Sequence, residues 1–167
     1  DNGATPLYVA SQEGHVPVVH ALLQGGADAG KARDGGFTPL CMASMQGHVP
    51  VVQALLQGGA DVDKARDGGT TPLYIASWEG RLHVVQALLQ AGADVDKARD
   101  DGTTPLYIAS LQGHVPVVQA LLQGGADVDK ARDDGATSLI VASGTGHVAL
   151  VQALLQGGAD VDKAADD

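Results

Sequence analysis

The chain has 167 residues, of which 44 % are hydrophobic but only 3 % aromatic, and it carries a formal net charge of −10 at pH 7. That charge disfavours nucleic acid and anionic membrane surfaces and favours a neutral or basic partner. The single cysteine, Cys41, excludes an internal disulfide, and there is no apolar run of transmembrane length and no signal-type apolar segment, so a cytoplasmic or otherwise intracellular protein is expected.

A period governs the whole chain. Thr-Pro-Leu stands at Thr5, Thr38, Thr71 and Thr104, with Thr137-Ser138-Leu139 in the fifth place, each 33 residues from the last. Ala-Leu-Leu-Gln follows the same period from Ala21, Ala54, Ala87, Ala120 and Ala153, as does Gly-Ala-Asp from Gly26, Gly59, Gly92, Gly125 and Gly158. Five periods fill 165 residues and leave Asp166 and Asp167 over. The expectation is a single array over 1–167, divided near 1–32, 33–65, 66–98, 99–131 and 132–165. Units of this size cannot bury an apolar face alone, so each must pack on its neighbours.

The third unit shows how the elements should follow one another. Asp67-Gly68-Gly69 is a turn, with glycine supplying positive φ. Thr71 then caps a helix by accepting an orphan backbone N–H, and Pro72 fills the first helical position, where a missing N–H costs nothing. A short helix runs through Leu73, Ile75 and Ala76 and stops at Gly80. A second helix covers about Leu82 to Gln90, with Leu82, Val84, Val85, Leu88 and Leu89 recurring on one face. In the second helices of other units, Pro17, Pro50 and Pro116 sit in the first turn, where proline is tolerated. Helices this short do not persist alone in water, so the pattern predicts stacked helix pairs with turns projecting from one edge.

The unit Gly-x-Thr-Pro-Leu, then Ala-Ser, Gly-His, Val-Val-Gln-Ala-Leu-Leu and Gly-Ala-Asp-Val-Asp, resembles the ankyrin repeat family over essentially the whole chain. The resemblance implies an all-α solenoid of helix–turn–helix units with projecting β-turn or hairpin loops. It also implies that first helices and turn tips line a concave surface, that second helices form the back, and that the concave face holds protein partners. The family's usual histidine after Thr-Pro-Leu is here Tyr8, Cys41, Tyr74, Tyr107 or Ile140. The Gly-His pair becomes Gly80-Arg81 in the third unit.

The residues supply no catalytic or metal constellation, so no enzyme and no cofactor are expected. His15, His48, His114 and His147 recur at one repeat slot and read as framework, while His20 and His83 lack a second ligand at motif spacing. Gly-Gly pairs fall at turns and helix ends rather than in a phosphate loop. Cys41 fills a slot held elsewhere by Tyr or Ile and reads as a small hydrophobe.

Difference between units is the informative signal. One varying slot holds Gln12, Met45, Trp78, Leu111 and Gly144; the next holds Glu13, Gln46, Glu79, Gln112 and Thr145; a third, before the Thr cap, holds Ala4, Phe37, Thr70, Thr103 and Ala136. In the family these slots project from the concave face. They predict a partner-binding stripe of Phe37, Met45, Gln46, Tyr74, Trp78, Glu79, Leu111 and Gln112, with Tyr74 and Trp78 sharing a helix face. Asp34, Asp67, Asp100 and Asp101 make a weaker, acidic set at the turn tips. Lys and Arg stand beside them, and the alternation reads first as a solvated ladder of weak ion pairs.

The first and fifth units match the internal ones, with no added polar cap. Either the chain is part of a longer array or its ends stack on other copies. The leading expectation is a non-catalytic module that binds a protein or peptide, neutral to basic, with neither nucleic acid nor membrane as partner. A structural spacer or self-stacking segment of a longer array, and an engineered ankyrin scaffold, stand beside it.

Overall fold

A computed structural model describes residues 3–165; Asp166 and Asp167, the two left over from the period, lie outside the described residues. Among the described residues ten α-helices follow in chain order: α1 Pro6–Gln12, α2 Val16–Gln24, α3 Pro39–Gln46, α4 Val49–Gln57, α5 Pro72–Trp78, α6 Leu82–Gln90, α7 Pro105–Leu111, α8 Val115–Gln123, α9 Ser138–Gly144 and α10 Val148–Gln156. They form five antiparallel pairs in two layers. The first helices stack α1 on α3 on α5 on α7 on α9, and the second helices stack α2 through α10 beside them.

Each first helix starts where its cap dictates. Thr5, Thr38, Thr71, Thr104 and Thr137 are extended, and each hydroxyl oxygen accepts a backbone N–H three residues on, at 3.1–3.3 Å. Gly80 ends the turn after α5 at φ +66°, a left-handed value that suits glycine. The second helix of the third unit runs Leu82–Gln90, the span its apolar spacing predicts.

The apolar face of each second helix is what closes the seams. Leu55, Leu88, Leu121 and Leu154 occupy one slot and have no accessible surface, and Val52, Val85 and Val118 are equally buried. Burying a side chain of this size contributes about 1.5–3 kcal/mol, which is why two short helices per unit suffice once they are stacked. Glycine completes the fit. A Cβ on Gly58 would lie 2.9 Å from Leu23 Cδ1 of the preceding pair, so the missing side chain is the seat for that leucine.

Between helix pairs the chain turns back through a tight tip. Arg66 N–H donates to the Thr70 carbonyl and Gly69 N–H to Arg66, and the same closure recurs from Arg33 to Phe37, Arg99 to Thr103 and Arg132 to Ala136. Tips also touch along the edge: Asp100 N–H donates to the Gly68 carbonyl at 3.3 Å and Asp133 N–H to Asp101 at 3.4 Å. Between the second helices and the tips, the carboxylates of Asp63, Asp96 and Asp129 accept the backbone N–H of Asp94, Asp127 and Asp160 in the next unit.

Candidate binding surface

The varying slot lies at the C-terminal end of each first helix, where the main chain needs acceptors satisfied from outside. The next unit provides them. His48 Nε2 lies 3.0 Å from the Gln12 carbonyl oxygen and His114 Nε2 lies 2.9 Å from that of Trp78. Arg81, which takes the histidine slot in the third unit, donates Nε–H to the Met45 carbonyl at 3.0 Å. At these three seams the histidine slot of one unit therefore fixes the backbone of the variable slot of the unit before it. A departure in sequence at Arg81 is a continuity in structure.

With the backbone fixed, the side chains of Met45 and Trp78 face a common space. Phe37, Met45, Arg66, Thr70, Ile75, Trp78 and Glu79 wall a cleft of about 190 Å³ between the second and third helix pairs. Ile75 forms a buried wall and Trp78 stands 44 % exposed at its mouth. The Arg66 guanidinium lies 4.4 Å over the Phe37 ring, a cation–π contact that holds the phenyl against the rim. Four of the eight residues read from the sequence, Phe37, Met45, Trp78 and Glu79, line this cleft.

The other four are placed differently. Tyr74 is only 1 % exposed, so it offers a partner no surface; its ring meets the Trp78 indole edge-on, with centroids 6.1 Å apart at 85°, and supports it from beneath. Gln46 borders a separate hollow of about 410 Å³ with Gly47, Val49, Gly80, Arg81, Leu82, His83 and Val84. Leu111, 41 % exposed, and Gln112 line neither space. Arg66, Thr70 and Ile75 belong to the cleft but were not expected there. Thr70 shares a varying slot with Phe37, which is the signal that points to it.

The turn-tip charges do not form the expected ladder of ion pairs. Among the described residues only Arg99–Asp101 at 3.7 Å and Arg132–Asp134 at 3.5 Å come within pairing distance. All four tip arginines also stack on an aromatic ring of the unit before. Arg33, Arg99 and Arg132 lie 5.3–5.5 Å over Tyr8, Tyr74 and Tyr107, while Arg66 takes Phe37 because Cys41 fills the tyrosine slot. Arg33 and Arg132 also donate Nη1–H to the hydroxyls of Tyr8 and Tyr107 at 3.2 and 3.3 Å. Bonding to Tyr74 and Tyr107 raises the pKa of Arg99 and Arg132. Tyrosine, in the place of the family's histidine, thus links the helix forward to the next tip.

Of the acidic tips, Asp34, Asp67 and Asp100 are exposed. Asp101 is half-buried. Its desolvation opposes ionisation, but hydrogen bonds from Thr103 and the nearby Arg99 and Arg132 hold its carboxyl below the ordinary range. No group of three or more His, Cys, Asp or Glu with metal-binding geometry occurs among the described residues. No helix among them is long and apolar enough to cross a membrane.

A family model described as ankyrin repeats, three copies, matches residues 7–99 and again 92–165. The chain belongs to the ankyrin repeat family. Comparison with curated proteins gives no significant match. Ankyrin repeats are generally protein–protein interaction modules, and this ankyrin array has the family's all-α helix-pair solenoid.

Proposed function

We propose that this ankyrin array is a non-catalytic module that binds a protein or peptide on its concave helix and tip face, anchoring one large apolar side chain of the partner in the cleft between Phe37, Met45 and Trp78. The supporting observation is the half-exposed indole at the mouth of that cleft, braced by Tyr74 and with its backbone held by His114. Exposed aromatic surface beside a concave apolar wall is the usual anchor of an interface. The net charge of −10 and the exposed Asp34, Asp67 and Asp100 favour a partner that is neutral to basic, and disfavour nucleic acid and anionic membranes.

Selection of a random peptide library against the intact chain tests this reading, with the double variant Trp78→Ala, Met45→Ala as counter-target. Enriched peptides are expected to share a large apolar residue and a net charge of zero or above, and to lose at least about tenfold in affinity on the double variant. Peptides that bind both forms equally would show that the cleft is not the anchor.

A further inference from the structure

The cleft has two charged walls, Arg66 and Glu79, set among the apolar side chains of Phe37, Met45, Ile75 and Trp78. Thr70, the remaining wall, is neutral and buried. Neither charge is spoken for. Three tip arginines find an acceptor inside the chain: Arg33 and Arg132 donate to the hydroxyls of Tyr8 and Tyr107, and Arg99 bonds to Tyr74 and lies 3.7 Å from Asp101. Arg66 rests on the Phe37 ring instead of a tyrosine, because Cys41 fills the tyrosine slot of that unit. Among the described residues its guanidinium makes no hydrogen bond or ion pair, and the exposed Glu79 carboxylate makes none either.

A side chain entering the cleft therefore meets apolar walls, one unpaired donor and one unpaired acceptor. A carboxylate would suit Arg66 but be repelled by Glu79, and an ammonium would suit Glu79 but be repelled by Arg66. A hydrocarbon would cover both charges and satisfy neither, which costs desolvation without return. Indole offers a donor alone. A phenol meets every wall: its ring covers Trp78, Met45 and Ile75, and its hydroxyl can accept from Arg66 and donate to Glu79.

We propose that the partner residue anchored in this cleft is a tyrosine. This rests on the cleft reading above and names the side chain that fills it. The partner then supplies to Arg66 the hydroxyl that Tyr8 and Tyr107 supply to Arg33 and Arg132. The anchor is uncharged, which agrees with a chain whose net charge is −10 and whose cleft carries one charge of each sign. Arg66 and Glu79 are the residues that set the preference for tyrosine over phenylalanine.

The probes are random peptide libraries with one central position fixed as Tyr, Phe, Leu, Glu or Lys and no aromatic residue elsewhere. They are selected against the intact chain, with the double variant Trp78→Ala, Met45→Ala as counter-target. Binders that need the cleft are expected from the Tyr library, and changing that Tyr to Phe in a selected peptide should weaken binding to the unaltered chain about tenfold. On a chain carrying Arg66→Met and Glu79→Ala, the Tyr and Phe peptides should bind within about twofold of each other. Circular dichroism confirms that the variants fold, and the Tyr–Phe comparison on the unaltered chain needs no variant at all. Cleft-dependent binders drawn equally from the other libraries, or Tyr and Phe peptides that bind the unaltered chain alike, overturn the tyrosine and leave the cleft as anchor for another side chain. A Tyr preference that survives Arg66→Met with Glu79→Ala overturns the part given to those two residues. A selection that yields no binder, or only binders indifferent to Trp78 and Met45, overturns the cleft reading and the tyrosine with it.

Discussion

The imidazole Nε2 of His114 stands 2.9 Å from the carbonyl oxygen of Trp78, so a framework residue of the fourth helix pair holds the backbone beneath the exposed indole of the third. A carbonyl only accepts, which makes Nε2–H the donor and fixes the tautomer. His114→Ala is expected to lower stability by about 1 kcal/mol in urea denaturation, through the lost bond and the emptied space beside Gly80. His15→Ala, at the same slot but without a carbonyl contact of this kind among the described residues, should stay within about 0.5 kcal/mol in the 167-residue chain. Equal losses at the two sites would show that the inter-unit bond contributes nothing.

The arginine–tyrosine contact separates into two parts by substitution. Tyr107→Phe keeps the ring beneath Arg132 but removes the hydroxyl that accepts from Nη1, and should cost about 0.5–1 kcal/mol. Tyr107→Leu removes both and should cost about 0.5–1 kcal/mol more. Thermal denaturation of the pair checks the order; a phenylalanine variant as unstable as the leucine one would locate the whole effect in the hydroxyl.

These two contacts mark how far the sequence was legible. Capping and spacing predicted the helix from Leu82 to Gln90 because both signals are local. The Tyr74–Trp78 adjacency was legible for the same reason, four residues being one helical turn. Burial of Tyr74 was not, because it depends on neighbouring units, including Arg99 of the following tip, which lies over its ring. The arginines were read only as partners of the aspartates beside them in sequence, which holds for Arg99 and Arg132 alone, and their stacking on rings was missed. The repeated separation of 25 residues between Tyr8 and Arg33, Tyr74 and Arg99, and Tyr107 and Arg132 was the overlooked signal. The cleft was legible only in part. Slot variation marks residues that differ, whereas Arg66 and Ile75 enter it through the packing of one unit on the next.

Burial pushes the Cys41 thiol above its ordinary range, against smaller pulls from Thr38 and Arg66. A raised folded value means that the contribution of this group to stability is fully present below the unfolded thiol's pKa, about 8.5. It is lost as pH rises beyond that value toward the folded one. The wild type should therefore lose stability faster than Cys41→Ala on going above pH 8.5 or so. At neutral pH a thiol reagent should modify the native chain far more slowly than the urea-unfolded one; equal rates would show that the thiol is accessible.

Gly144 ends α9 with ordinary helical backbone, and a Cβ added there meets nothing within 4 Å. Gly144→Ala should raise stability by about 0.5–1 kcal/mol by restricting the unfolded chain, read as a higher denaturation midpoint. Gly146, two residues on at φ +72°, should not tolerate the same change.

The cleft takes Phe37 and Met45 from one helix pair and Ile75, Trp78 and Glu79 from the next. In a stack whose units touch only their neighbours, the shape of this cleft is set by a single seam. A large apolar side chain bound there, as proposed, would touch both sides of that seam, so its binding would be linked to the stability of that one contact between units.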